Sequence, residues 1–200
     1  MEILYRVHNG IYVNLTNRCS SACTFCLRQN MDHVGESHSL WLEREPTVQE
    51  VEDEFRKWDM SQFEEIVFCG FGEPTCALPV LLEVARWLKT WCPLPIRVNT
   101  NGQGSLIAGH DISGELKGCI DVVSISLNDP DPAEYQKLVR SRFGDKAFPG
   151  MLDFAKKCVA QGIKVIMTTV DTTITHEEEA QCRAICQEIG ATYRIRPWED

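Results

Sequence analysis

The feature that most constrains this chain is a repeated switch between short β-rich runs and longer amphipathic stretches. Strand patterns fall at Ile11 to Thr16, Glu65 to Cys69, Ile96 to Thr100, Asp121 to Leu127, Lys164 to Val170 and Thr192 to Pro197. Between them, Val48, Val51, Phe55 and Trp58 recur at helical spacing behind the N-cap Thr47. Helical patterns also cover Leu78 to Trp91, Asp131 to Ser141, Pro149 to Gln161 and His176 to Ile189, whereas Gly104 to Gly118 carries little. Strands separated by crossover helices pair in parallel, and right-handed crossovers curl the sheet one way. Eight such units close a TIM barrel. Six predict a partial (β/α)6 TIM barrel: an α/β fold with six parallel strands, open-sided, forming one domain over residues 1–200.

Bulk properties narrow the setting. The chain has 200 residues and a formal charge of −9, which opposes a broad nucleic-acid surface while leaving room for a local basic pocket. No apolar run approaches the roughly 20 residues that span a bilayer. The start, Met1 to Arg6, lacks the basic-then-apolar plan of a signal peptide. A cytoplasmic protein is expected, so its ten cysteines read as metal ligands and core residues, not disulfides.

In parallel α/β architectures the βα loops gather chemistry at the C-terminal strand ends. After the first strand comes Asn14-Leu15-Thr16-Asn17-Arg18-Cys19-Ser20-Ser21-Ala22-Cys23-Thr24-Phe25-Cys26, a C-x3-C-x2-C spacing. Three close thiolates can wrap three corners of a [4Fe–4S] cube and leave one iron open. Two other readings compete. One is a zinc site completed by His33 or His38. The other is an electron-transfer cluster closed by Cys69 or Cys76. The remaining strand ends are also polar and glycine-rich: Gly70-Phe71-Gly72-Glu73-Pro74-Thr75, Asn99-Thr100-Asn101-Gly102, Ser124-Ile125-Ser126-Leu127-Asn128 and Arg194-Ile195-Arg196.

Together these stretches resemble the radical S-adenosylmethionine (radical SAM) superfamily, from Ile11 to Trp198. Within it the chain is most similar to the short TatD-nuclease-associated proteins, on Tyr12 to Cys19, Cys26-Leu27-Arg28, Phe71 to Thr75 and Ser126 to Asn128. The resemblance implies that Cys19, Cys23 and Cys26 hold a [4Fe–4S] cluster and that SAM chelates the free iron. Gly70, Gly72, Glu73 and Pro74 match the element that binds the SAM amino group, with Phe71 as a departure. Ser124, Ser126 and Asn128 match the element that contacts the ribose or carboxylate, although relatives often carry Asp where Asn128 stands. By the same likeness Asn99 and Asn101 serve the ribose or substrate, and Phe25 and Val170 flank the adenine. Arg196 pairs with a carboxylate, with Arg140 and Arg142 as rivals.

The implied activity is reductive cleavage of SAM to a 5′-deoxyadenosyl radical that abstracts hydrogen from a substrate the likeness leaves undefined. An electron donor such as flavodoxin or ferredoxin is implied. Six strands without a cysteine-rich extension leave a lateral opening. A protein or peptide substrate, a homodimer partner, or the segment from Gln29 to Glu45 acting as a lid would close it. The cluster loop is expected over 17–30. Cys182 and Cys186 share an apolar stripe with Ile185 and Ile189 and read as core, as do Cys158, Cys92 and Cys119. Glu64 and Glu65 fall at the N-terminal rim and are expected in solvent. Glu177 to Glu179 favour a helix N-terminus. Trp41 and Trp198 are either substrate-facing aromatics or packing.

Overall fold

A computed structural model describes residues 1–35 and 37–197, so Trp198 lies outside the described residues. Seven strands form one sheet in the order of the chain. β1 (Leu4–Val7) pairs antiparallel with β2 (Gly10–Val13). From β2 onward all pairing is parallel, through β3 (Glu65–Phe68), β4 (Ile96–Thr100), β5 (Val122–Ser126), β6 (Lys164–Val170) and β7 (Thr192–Arg196). The six expected parallel strands are present, with β1 added at one edge.

The first expected strand is corrected. It begins at Gly10 and stops at Val13 because Asn14 and Thr16 turn their polar side chains onto the segment that holds Leu40 and Glu45. β1 escapes the periodicity test because it is four residues long and its buried positions, Leu4 and Tyr5, are adjacent rather than alternate. His8, at φ +50°, makes the hairpin turn without a glycine.

The helices are α1 (Val48–Phe55), α2 (Leu78–Lys89), the short α3 (Gly104–Ala108) and α4 (Ser113–Leu116), α5 (Pro132–Val139), α6 (Ala147–Ala160) and α7 (His176–Ile189). Thr47 and Thr175 cap α1 and α7 with reciprocal boxes to Glu50 and Glu178. The core lies between the helices and the outer face of the sheet. Ile66, Phe68, Val98, Ile125 and Met167 meet Leu81, Leu88 and Phe154 there, with Cys158, Cys182 and Cys186 in the same layer.

Along β4 and β5 burial alternates strictly. That alternation belongs to a sheet covered on one face only, unlike the continuous apolar strands of a doubly covered sheet. The concave face of β4 and β5 is therefore accessible, and it carries Arg97, Asn99, Ser124 and Ser126. Glu65 is a second correction. It is half-buried and forks onto Arg97 at 2.6 and 3.1 Å, forming the polar floor of the arc.

Candidate cluster and cofactor site

Cys19, Cys23 and Cys26 are free and half-exposed on the loop that follows β2. The loop is held at both sides. Ala22 and Thr24 donate backbone bonds to Val139 and Leu138 at the end of α5, at 3.0 and 2.9 Å. Burial and the neighbouring thiols Cys26 and Cys19 push the Cys23 thiol up to about 12. Burial likewise raises Cys19. Bare thiolates are thus disfavoured here, and a cationic metal centre would supply the compensation they need. Among the described residues no three His, Cys, Asp or Glu side chains are gathered as a single ion requires. His33 and His38 are exposed, and nothing supports a zinc site. A cube takes each thiolate on a different iron, which suits thiols that sense one another without converging.

The loop after β3 is built into the root of the cysteine loop. A Cβ on Gly72 would sit 2.2 Å from the carbonyl oxygen of Thr16 and 2.7 Å from that of Arg18. One on Gly70 would sit 2.1 Å from Asn14 Oδ1. Both glycines are required by chain packed against chain. Glu73 is only 3% exposed. Its carboxylate accepts from Thr75 N at 3.1 Å, Thr75 Oγ1 at 2.7 Å, Thr100 Oγ1 at 2.7 Å and Asn101 N at 2.7 Å. It caps the 3-10 turn Pro74–Ala77, with Pro74 at the first position, where its missing N–H costs nothing. Burial raises its pKa in spite of those four donors.

A second polar knot joins the cysteine loop to the end of β4, and the sequence offered no spacing to find it. Gln103 is fully buried, and its Oε1 accepts from Ser20 and Ser141 hydroxyls, both at 2.8 Å. Its Nε2 donates to Tyr135 OH at 3.2 Å. Asn101 is held by Gln103 N at 2.9 Å, which turns its amide onto Ser20 Oγ at 2.9 Å and Cys19 Sγ at 3.9 Å. Asn101 thus faces the cluster loop. Asn99 sits deeper, with its Oδ1 taken by Arg97 at 3.2 Å.

The opposite side of the mouth is different. A cleft of about 590 Å³ opens between the cysteine loop and the ends of β6 and β7, lined by Phe25, Cys26, Met31, Val170, Thr172 and Arg196. Among the described residues Arg196 Nε is buried there without a partner. At the end of β5, Asn128 is 4% exposed and adopts φ +65°, and its Oδ1 is buried and unpaired among the described residues. An unpaired donor and an unpaired acceptor at two strand ends are free to meet polar groups of a ligand or of water, since buried polar groups are mostly paired. Ser124 and Ser126 stay half-exposed on the concave face of β5. Arg140 and Arg142 are exposed outside this cleft, Arg142 lying over its neighbour Phe143.

The donor set, the cleft and the orphaned atoms fit an iron–sulfur cluster beside a small polar cofactor. The comparisons agree. A curated relative, the GTP 3′,8-cyclase of Rhizobium etli, is 27% identical over 161 residues, covering 79% of this chain and 42% of the relative. The structure of SuiB from Streptococcus suis bound to S-adenosylmethionine superposes with a TM-score of 0.71 at 15% identity, covering 94% of this chain and 40% of that one. SuiB bound to its precursor peptide gives 0.69 at 15% identity, over 94% of this chain and 39% of SuiB. This chain therefore spans about two fifths of the length of these relatives, and the structural likeness speaks for the fold. The Radical SAM superfamily model matches residues 13–188, and the chain belongs to that superfamily, whose cofactors are a [4Fe–4S] cluster and S-adenosylmethionine.

Proposed function

We propose that this chain holds the cluster through Cys19, Cys23 and Cys26 and cleaves S-adenosylmethionine reductively to begin hydrogen abstraction from a substrate. The observation that carries this reading is that the loop of three half-exposed thiols borders, through Phe25 and Cys26, a cleft lined by Arg196, whose Nε is unpaired among the described residues. When bound, the cofactor pair supplies a 5′-deoxyadenosyl radical from one donated electron; the chain's own groups bind, orient and exclude water. Phe25 and Val170 offer apolar contact for an adenine. Arg196 offers a cation for a carboxylate, and Asn128 Oδ1 an acceptor for a hydroxyl or an ammonium. Glu73 acts from behind, by holding the 70–76 turn and Asn101 in place, and Gly70, Gly72, Pro74, Ser124, Ser126 and Asn99 shape the same mouth.

The electron donor is of the flavodoxin or ferredoxin type, and the substrate is a protein or peptide-sized molecule. Two facts support that size: the cleft is open beside the edge strand β7, and a neighbour of the same fold binds a peptide. Among the described residues no helix is long and apolar enough to cross a membrane. Ten unpaired cysteines suit a reducing compartment, so we place the chain in the cytoplasm. Anaerobic reconstitution with iron and sulfide, then dithionite and S-adenosylmethionine, tests the reading. A brown protein that releases 5′-deoxyadenosine supports it. A protein that takes up zinc alone and releases no nucleoside refutes it.

A further inference from the structure

Arg28 stands two residues beyond the last cluster cysteine, in the 3-10 turn Leu27–Gln29, and its side chain folds back beneath the loop. Nη1 donates to the carbonyl of Asn17 at 3.2 Å and to that of Phe71 at 3.3 Å, and Nη2 to that of Ser21 at 3.5 Å. Those carbonyls belong to three separate pieces of chain: the exit from β2, the interior of C-x3-C, and the residue between Gly70 and Gly72. A planar guanidinium with five fixed donors can serve three carbonyls at once, and a lysine ammonium cannot do so with the same geometry.

The same bonds bring its charge to the cysteine loop, because Ser21, whose carbonyl takes Nη2, lies between Cys19 and Cys23. The other charges nearby are committed elsewhere. Glu73 is buried and holds four donors. Arg18 is committed to Glu45 at 2.5 and 2.8 Å. Arg142 lies over Phe143. Among the described residues Arg28 has no carboxylate within ion-pair distance, so carbonyl dipoles solvate it and leave its charge uncancelled.

We propose that Arg28 is a positioning residue for the iron–sulfur cluster, clamping the cysteine loop to the 70–76 turn and, by its uncancelled charge, easing the cluster's one-electron reduction. The inference rests on the cluster reading above. Reduction adds one negative charge, taken from an external reductant, beside three thiolates, and a fixed cation stabilises that charge; net charge near the sulfurs is one of the levers on cluster potential.

Arg28→Lys and Arg28→Gln separate the clamp from the charge. Two measurements apply: hydrogen exchange over 19–29 in the cluster-free protein, and a redox titration of the anaerobically reconstituted cluster followed by its spectroscopic signal. Both variants are expected to exchange faster than wild type over 19–29. Arg28→Lys should keep a midpoint near wild type, while Arg28→Gln shifts it to more negative potential at equal iron content. Should Arg28→Gln fail to load, faster exchange in the cluster-free chain supports the clamp and unchanged exchange overturns it. A loaded Arg28→Gln cluster with wild-type midpoint overturns the charge role. A wild-type protein that takes up no cluster defeats the underlying reading instead, and is seen before any variant is compared.

Discussion

The two sides of the barrel mouth are built on opposite plans. On the β1–β3 side the concave face is filled. Tyr5, Leu40 and Phe71 form a small separate core with Val7, Tyr12 and Val34 packed against it. Asn14 Nδ2 bonds the carbonyl of Leu40 at 2.8 Å, and Asn17 exchanges bonds with Leu42 at 2.7 and 3.0 Å. Leu40 is fully buried, so the segment from 29 to 45 carries a fixed wall at its centre. Trp41 packs edge-on against Phe71 at 5.2 Å and is 42% exposed, so packing is the expected role that the structure shows. On the β5–β7 side the face is polar, partly open and left with unpaired atoms at Asn128 and Arg196. One side is closed by the chain itself, although Asn14 Oδ1 and Glu2 Oε2 are buried there without partners among the described residues. The other leaves its unpaired atoms at strand ends beside an open cleft.

The sharpest way to break this contrast is to disturb the finished side. Gly72→Ala forces a methyl to within 2.2 Å of the Thr16 carbonyl and 2.7 Å of that of Arg18, both backbone. Overpacking of this kind costs about 3 kcal/mol, and we expect lost thermal stability together with poor iron uptake. Glu73→Gln comes next. An amide in place of the carboxylate presents donors to donors, at about 1–3 kcal/mol, read by chemical denaturation. Its pH profile is informative as well. Burial raises the Glu73 pKa in the folded chain, so its contribution to stability is lost as pH rises from the ordinary glutamate range through that raised value. Glu73→Gln should flatten that part of the stability profile.

On the open side the expectation reverses. Arg196→Ala should leave the melting temperature of the cluster-free protein nearly unchanged and weaken S-adenosylmethionine binding about tenfold, the loss of one charge-assisted bond. Equal losses of stability from Arg196→Ala and Gly72→Ala would erase the distinction. The smallest effect belongs to the outer layer. Cys182→Ala, in a fully buried position of α7, should cost about 1 kcal/mol of stability and leave cluster content intact.

Periodicity carries most of the fold. β4 and β6 begin and end where the alternation of Ile96 to Thr100 and the apolar run of Lys164 to Val170 place them. Such patterns report burial, and β1 has too few residues to make one. The cysteine loop was legible because three cysteines at such short spacing are rare by chance. Arg28 and Gln103 were not, because each acts alone, through carbonyls or hydroxyls distant in sequence, and a single polar residue has no period. Asn101-Gly102 at the end of β4 was legible as a polar strand end, but nothing in it pointed to Gln103. The glycines of the 70–76 turn were legible as positions of close approach. What approaches them, Asn14 and the carbonyls of Thr16 and Arg18, became visible only in three dimensions.

The most direct test of the contrast is hydrogen exchange of the reconstituted protein with and without S-adenosylmethionine. The account predicts new protection at 124–130, 170–173 and 194–196, where polar atoms await partners, and little change at 14–18, 70–76 and 100–103. Protection confined to the second set, with the ends of β5, β6 and β7 unaltered, would contradict it.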